Sequence, residues 1–329
     1  MRYLLLTLSL AALFSGCGTK KYFDPETSQG IRYDGYTAHF LKNTKVDGAT
    51  YEDGSVITPD ALYDKVLEGE NTIFINEADT ALIAANKNQL ILIDKSTMEK
   101  TIIPTTQRIV SANVRGNIVA AVTADNSIMM YDKTSRAVLF KSKQKLSHSV
   151  SSDFAKPLFF DDILVYPTLD GKIMIVDSEK KRELREFIIS SEKFFNNVIY
   201  LERVGQKIIA ATKHNLLLIT PQNTYEYKAS INAVKATENG IYIVTVDGRV
   251  VELDDMLESK NERKFPFAGL ISVNLKGDTL YMVERSGYLI KTDKNLDAFT
   301  VYELGDNVEN FLFVGNDKLY YKSRYITLP

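Results

Sequence analysis

Residue types that build many binding and catalytic sites are scarce or missing in this chain. Its 329 residues include no tryptophan, one cysteine and three histidines. A single cysteine excludes a disulfide bond within the chain. The histidines, His39, His148 and His214, stand in none of the spacings that are typical of zinc sites, so no metal is expected.

An excess of charge of one sign is also missing. The chain has 40 basic and 42 acidic residues and a net charge of -2 at pH 7. It therefore lacks the basic surplus that binding to a phosphate backbone requires. It also lacks the glycine-rich loops that hold nucleotides. The sequence accordingly predicts no nucleic-acid partner and no cofactor.

Beyond the N-terminus, no apolar run approaches the length of about 18 residues that a membrane-spanning helix needs. The apolar run at residues 4–14 follows Met1 and Arg2, which is the pattern of a signal peptide. Ser15-Gly16-Cys17 then resembles the cleavage motif of bacterial lipoproteins. The resemblance implies that residues 1–16 are removed and that Cys17 carries the lipid. The alternatives are an ordinary signal peptide with a cysteine near the cut and a buried free thiol.

The residues after Cys17 indicate how the protein is placed. Residues 17–35 are polar and lack periodicity, so we expect a tether between the lipid and a single domain at residues 36–329. In the lipoproteins that this motif resembles, an aspartate after the cysteine favours the inner membrane. Residue 18 is Gly18, which favours the outer membrane, with the domain facing the periplasm, while the inner membrane stays open.

A short phrase recurs along the rest of the chain. It begins with a polar residue or glycine, continues with mostly apolar residues and ends in aspartate, at residues 88–94, 126–132, 171–177, 248–254 and 287–293. A degraded copy lies at residues 215–220, and a truncated copy ends the chain at Pro329. A repeat of about 40 residues made of strands is typical of propeller blades. A β-sandwich, the competing architecture, would show short strands without this longer period.

Each copy of the phrase follows a strand that is nearly all apolar. Residues 81–85, 118–122 and 208–212 each contain an Ala-Ala pair, as expected where neighbouring blades cover both faces of a strand. The seven copies predict an all-β propeller of four-stranded blades, with seven blades favoured and six or eight left open. Residues 36–70 are judged too short for a full blade, and residues 59–67 are the best helix candidate.

The last copy stops before its fourth strand. An N-terminal strand within residues 36–58 is expected to supply it and to close the ring, which removes two exposed sheet edges. The aspartate that ends each phrase is expected to accept hydrogen bonds in the turn that follows. Such a role is structural rather than catalytic.

The repeat resembles the blades first described in quinoprotein dehydrogenases. Together with the lipoprotein motif, it resembles the propeller lipoprotein subunits of the outer-membrane β-barrel assembly machine, over roughly residues 72–329. This resemblance implies a propeller that binds other envelope proteins and performs no catalysis. A quinone cofactor is excluded, because the dehydrogenases stack it on a tryptophan and a disulfide.

Aromatic residues near the first strands of blades are the candidate partner-binding residues. They are Phe154, Phe159, Phe160, Phe194, Phe195, Phe265 and Phe267. Exposed aromatic side chains in loops are common anchors for protein partners. The Ser-His-Asp stretch at residues 147–153 does not predict a hydrolase, since catalytic triads assemble from distant segments.

The sequence therefore predicts a monomeric, lipid-anchored scaffold that binds envelope proteins, with outer-membrane β-barrel assembly as the first process to test. A subunit of a secretion or motility machine is the first alternative. A ligand-binding or enzymatic propeller that uses its central channel is the second. It ranks last because the first strands of the blades, such as residues 270–273, are mostly apolar.

Overall fold

The structure is a computed structural model that describes residues 21–69, 71–147, 149–308 and 311–329. Within these ranges the chain forms β-strands and turns without any helix. No helix long and apolar enough to cross a membrane is therefore found in the described part of the chain. The predicted signal peptide, Cys17 and His148 lie outside the described residues.

Strands follow one another in groups of four, as the recurring phrase predicts. The N-terminal segment and the first four blades contain β1 (Gln29–Gly30), β2 (Gly35–Tyr36), β3 (Leu41–Lys45), β4 (Gly48–Tyr51), β5 (Val56–Ile57), β6 (Leu62–Tyr63), β7 (Ile73–Glu77), β8 (Ala81–Ala85), β9 (Gln89–Asp94), β10 (Lys100–Pro104), β11 (Ile109–Arg115), β12 (Ile118–Thr123), β13 (Ser127–Asp132), β14 (Val138–Lys143), β15 (Leu158–Phe160), β16 (Ile163–Pro167), β17 (Lys172–Asp177) and β18 (Arg182–Ile188). The last four blades contain β19 (Tyr200–Val204), β20 (Lys207–Ala211), β21 (Asn215–Ile219), β22 (Thr224–Lys228), β23 (Ile231–Thr237), β24 (Gly240–Thr245), β25 (Arg249–Leu253), β26 (Ser259–Lys264), β27 (Leu270–Lys276), β28 (Thr279–Glu284), β29 (Tyr288–Asp293), β30 (Phe299–Glu303), β31 (Leu312–Val314), β32 (Lys318–Tyr321) and β33 (Arg324–Thr327).

Eight sheets form the blades of the propeller. Sequential strands of a blade pair antiparallel, and the first strands of neighbouring blades lie side by side along a central channel. The phrase that recurs in the sequence is the third strand of a blade, flanked by the second and fourth strands.

The number of blades corrects the sequence-based prediction of seven. Residues 36–70 contain a complete blade, β3 to β6, whose last two strands have only two residues each. This blade was missed because strands this short leave no copy of the phrase. The helix predicted at residues 59–67 is also wrong: the Thr58 N–H donates to the Ala61 carbonyl (2.9 Å) in a turn, and β6 follows.

The apolar core lies between the blades. The second strands supply much of it, and Ala84, Ala121 and Ala210 are among the side chains that are completely buried there. Each cluster combines side chains from two adjacent blades, which is how flat sheets bury both faces. The prediction from the Ala-Ala pairs is therefore confirmed.

The N-terminal segment is packed where the sequence predicts a free tether. Phe23 is buried between blades six and seven, with its ring in edge contact with the rings of Phe265 (6.2 Å) and Tyr288 (5.4 Å). β1 then pairs in parallel with β30 as a fifth strand of blade seven. β2 pairs antiparallel with β33 as the outer strand of blade eight, a place that the sequence assigns to a strand within residues 36–58. Most of that segment forms blade one instead, and the strand that pairs with β33 lies at its very start. The tether predicted for residues 17–35 is thus attached to the propeller from at least Phe23 onward.

Candidate functional site

Loops that carry exposed aromatic side chains gather on one face of the propeller. This face is formed by the connections between blades and by the turns between second and third strands, and we call it the aromatic face. A contact between the two kinds of loop confirms that they share a face. The ring nitrogen Nε2 of His214, in a turn of blade five, lies 3.2 Å from the carbonyl oxygen of Phe194, in the connection from blade four.

Three of the seven predicted phenylalanines are exposed on this face. Phe194, Phe195 and Phe267 have about half of their side-chain surface in solvent (51%, 52% and 58%). Phe195 and Phe267 have φ angles of 51° and 64°, which tight loops impose on them. Lysines accompany two of the rings: the Lys193 and Lys21 Nζ atoms lie 5.3 Å from the ring centres of Phe194 and Phe267, respectively.

The other four predicted phenylalanines pack against the protein. Phe265 is buried in the core between blades six and seven. Phe159 and Phe160 belong to β15 itself and pack against the clusters on either side of blade four. Arginine guanidinium groups cover both rings, Arg115 over Phe159 and Arg203 over Phe160. Phe154 lies at the central channel, where the Lys45 Nζ atom is 5.7 Å from its ring centre.

Two further exposed phenylalanines of the aromatic face were missed by the sequence reasoning. Phe40 precedes the first blade and Phe311 precedes the last one, so both lie on the aromatic face, Phe311 at the mouth of the central channel that it also lines. The feature that identifies them in the sequence is their position between the outer strand of one blade and the first strand of the next. For Phe40, this position could be recognised only after the first blade had been identified, which its short strands prevented. Phe311 precedes a blade that the sequence did predict, but it was not singled out.

The central channel is more polar than its apolar first strands predict. It encloses a cavity of about 640 Å³ whose walls include Lys45, Asp47, Lys156, Glu202 and Lys235. Lys156 donates from Nζ to the Asp47 carboxylate (2.9 Å) and to the Glu77 carbonyl (3.0 Å). The ion pair between Lys156 and Asp47 stabilises the channel wall.

Lys45 is a channel lysine whose pKa is shifted by its surroundings. Burial lowers the pKa of its ammonium group, and the positive charge of Arg108 acts in the same direction, while the nearby Asp153 carboxylate opposes them. Among the described residues, no cluster of three or more His, Cys, Asp or Glu side chains could hold a metal ion. The channel therefore presents isolated charges and amides to its cavity.

Comparison with known proteins identifies the relatives of the chain. It is 31% identical to plasminogen-binding protein PgbB of Helicobacter pylori strain J99, over 96% of this chain and 67% of that protein. The chain belongs to the PgbB family. A second family member, from H. pylori strain 26695, is 30% identical over the same shares of the two chains. A scan against models of protein families finds no match.

Solved structures confirm the propeller fold. BamB from Moraxella catarrhalis is similar with a TM-score of 0.66, over 88% of this chain and 94% of that chain, at 16% identity. The C-terminal WD40 domain of Sif2 gives a TM-score of 0.64 over 92% and 99%, at 13% identity. The computationally designed protein Ika8 gives 0.63 over 92% and 100%, at 12% identity. The predicted resemblance to the propeller subunit of the assembly machine is thus confirmed, as a likeness of fold.

Proposed function

We propose that this member of the PgbB family is a non-enzymatic propeller that binds a protein, and that plasminogen is its partner. The observation that carries the proposal is the 31% identity to a plasminogen-binding protein along 96% of the chain. The aligned region covers nearly the whole propeller.

The architecture supports a binding role. Eight blades hold the turns and connections of each face in fixed positions, which lowers the ordering cost of binding a protein. Ring closure by the N-terminal strand is part of this proposal. The pairing of β2 with β33 supports it, as does the burial of Phe313 of blade eight beside Leu41 and Ala49 of blade one.

We also propose that the protein is anchored to the outer membrane through lipid on Cys17. A propeller that faces the periplasm would meet envelope partners, whereas one that binds plasminogen, an extracellular protein, would have to face outward. The support is the lipoprotein-like motif at Ser15-Gly16-Cys17, with Gly18 after it. The acyl chains of a lipoprotein give stable attachment where a single chain gives only marginal binding. The anchor would keep the propeller near partners at the envelope.

A binding assay tests the partner directly. The mature, acylated protein is bound to lipid vesicles on a sensor, and plasminogen is passed over it. An unrelated lipid-anchored propeller at the same density is the control. We expect saturable binding to this protein only. Equal signals on both surfaces, or none on either, would reject plasminogen as the partner.

Participation in outer-membrane β-barrel assembly is the second proposal, supported by the likeness of fold to BamB. The tagged, anchored protein is purified from its own cells after mild crosslinking, and co-purifying proteins are identified by mass spectrometry. Enrichment of assembly-machine subunits would favour this role. Enrichment of a secretion or motility complex would instead favour the other alternative that the sequence leaves open.

A further inference from the structure

Exposed phenylalanines are distributed unevenly over the propeller. In the part of the chain that the structure describes, six are exposed, and five of these lie in connections between blades, on the aromatic face: Phe40, Phe194, Phe195, Phe267 and Phe311. The sixth, Phe299, starts the outer strand of blade seven. On the turns of the opposite face, the exposed large apolar side chains include Val46, Met98 and Met256.

The described chain begins on the aromatic face. Lys21 stands over the exposed ring of Phe267, and Phe23 is fixed in the core two residues later. Cys17 precedes Lys21 by four residues, and an extended chain of that length spans at most about 14 Å. A lipid on Cys17 would therefore enter the bilayer close to the aromatic face.

From this geometry we propose that the aromatic face is a membrane-docking surface that rests on the lipid bilayer beside the anchor. The inference rests on the lipid anchor of the proposed function. Its occupant is the bilayer surface, chosen because the short link brings that face within reach of the membrane. The opposite face then points away from the bilayer and is free to bind a protein.

The side chains of the aromatic face suit an interface between water and hydrocarbon. Phenylalanine rings favour the boundary between headgroups and acyl chains, and lysines beside them can extend their ammonium groups to lipid phosphates. The pairs Lys193–Phe194 and Lys21–Phe267 have this composition at two different blade junctions. Phe40 and Phe311 add contacts at two further junctions. The propeller can therefore lie with this face flat on the bilayer instead of standing on its edge.

Site-specific fluorescent probes test this orientation. In the acylated protein the sulfur of Cys17, the only cysteine of the chain, is bonded to the lipid and cannot react with a dye. A cysteine introduced elsewhere is then the only free thiol. The variants Phe194→Cys, Phe267→Cys and Phe40→Cys report on the aromatic face, and Met256→Cys reports on the opposite face. Each is labelled with an environment-sensitive dye and reconstituted in vesicles of phosphatidylethanolamine and phosphatidylglycerol, with thermal unfolding as the check of folding.

We expect the three aromatic-face probes to shift their emission to shorter wavelengths and to be quenched by nitroxide-bearing lipids. The emission wavelength of the Met256→Cys probe should remain that of the dye in water. The proposal would be overturned if all three aromatic-face probes kept the emission of the dye in water while the protein was bound to vesicles. Equal emission shifts of the probes on both faces would overturn it too. A shift that occurs only after plasminogen is added would also overturn it and make the phenylalanines a protein-binding site.

The parent protein without an introduced cysteine separates the two proposals. If the anchor is present, the parent remains on the vesicles and takes up no dye. A parent that reacts with the dye at Cys17 and leaves the vesicles would refute the anchor itself, and with it the basis of the docking surface.

Discussion

A single carboxylate, that of Asp94, shows how the turns after the third strands are held. One oxygen of Asp94 accepts hydrogen bonds from the N–H groups of Ser96 (2.9 Å) and Thr97 (3.0 Å), and from the Ser96 hydroxyl (2.6 Å). These bonds, that of the Ser96 hydroxyl first, lower the pKa of Asp94 from 3.8 to about 2. The structural role predicted for the recurring aspartate is thus confirmed at this position.

The low pKa of Asp94 predicts how stability depends on pH. The ionised carboxylate stabilises the fold above the pKa of the unfolded chain, and this contribution is lost as the pH falls through about 2. We expect Asp94→Asn to lower the urea midpoint at neutral pH, with the difference from the parent shrinking between about pH 4 and pH 2. Asp79→Asn, in an exposed turn of the same blade, is the control. A difference that stays constant with pH would contradict the assignment.

Two neighbouring phenylalanines separate core packing from surface exposure. Phe265 is 3% exposed and Phe267 is 58% exposed. We expect Phe265→Ala to lower the free energy of unfolding by about 3–5 kcal/mol, because it leaves a cavity beside Phe23 and Phe299. Phe267→Ala should change it by less than about 0.5 kcal/mol. Chemical denaturation measures both, and similar losses would place the Phe267 ring in the core.

At the scale of elements, the outer strand β2 joins the beginning of the chain to its end. The Thr37 N–H, directly after β2, donates to the Ser323 carbonyl (2.7 Å). Thr37→Pro removes this donor, whereas Thr37→Ala keeps it, although both lose the side-chain bond to the His39 carbonyl. We expect the proline variant to be less stable than the alanine variant by about 1–3 kcal/mol, and to be cut faster near β2 in limited proteolysis. Equal behaviour of the two would argue against closure of the ring by β2.

The element scale also shows what the sequence could predict. Blades two to seven each carry a third strand of the recurring type, so their number and strand order followed from the phrase. Blade one could not be predicted, because β5 and β6 have two residues each and show no periodicity. The aromatic loops were recognised as a class, but only burial separates Phe265 from Phe267. A loop sequence does not encode burial, which depends on the neighbouring blade.

The polar channel was missed for a related reason. The apolar residues of the first strands are the ones that contact neighbouring blades, and they dominate the pattern. The channel is lined instead by single charged residues of the first strands, such as Lys45, Glu202 and Lys235, by Asp47 from a turn and by Lys156 from a connection. The hydrophobic pattern of a strand is set by most of its residues, so single polar residues do not change the prediction.

At the scale of the whole molecule, the clusters between blades predict cooperative unfolding. Blade seven, for example, contributes to clusters shared with blade six and with blade eight. Because each blade is stabilised by both neighbours, we expect one transition rather than separate melting of blades. Far-UV circular dichroism and tyrosine fluorescence should give the same midpoint in urea. Phe265→Ala should move both midpoints together, and non-coincident curves would contradict this.

The pairing of β2 with β33 has a consequence for how the protein is made. Gly35 and Tyr36 leave the ribosome long before their partners Tyr325 and Arg324, which lie far along the chain. Contacts so far apart in sequence form slowly, because a long loop must close before they contribute. The eighth blade therefore cannot be completed before β33 has been synthesised. A chaperone that delays folding would find an unpaired N-terminal strand on every nascent copy.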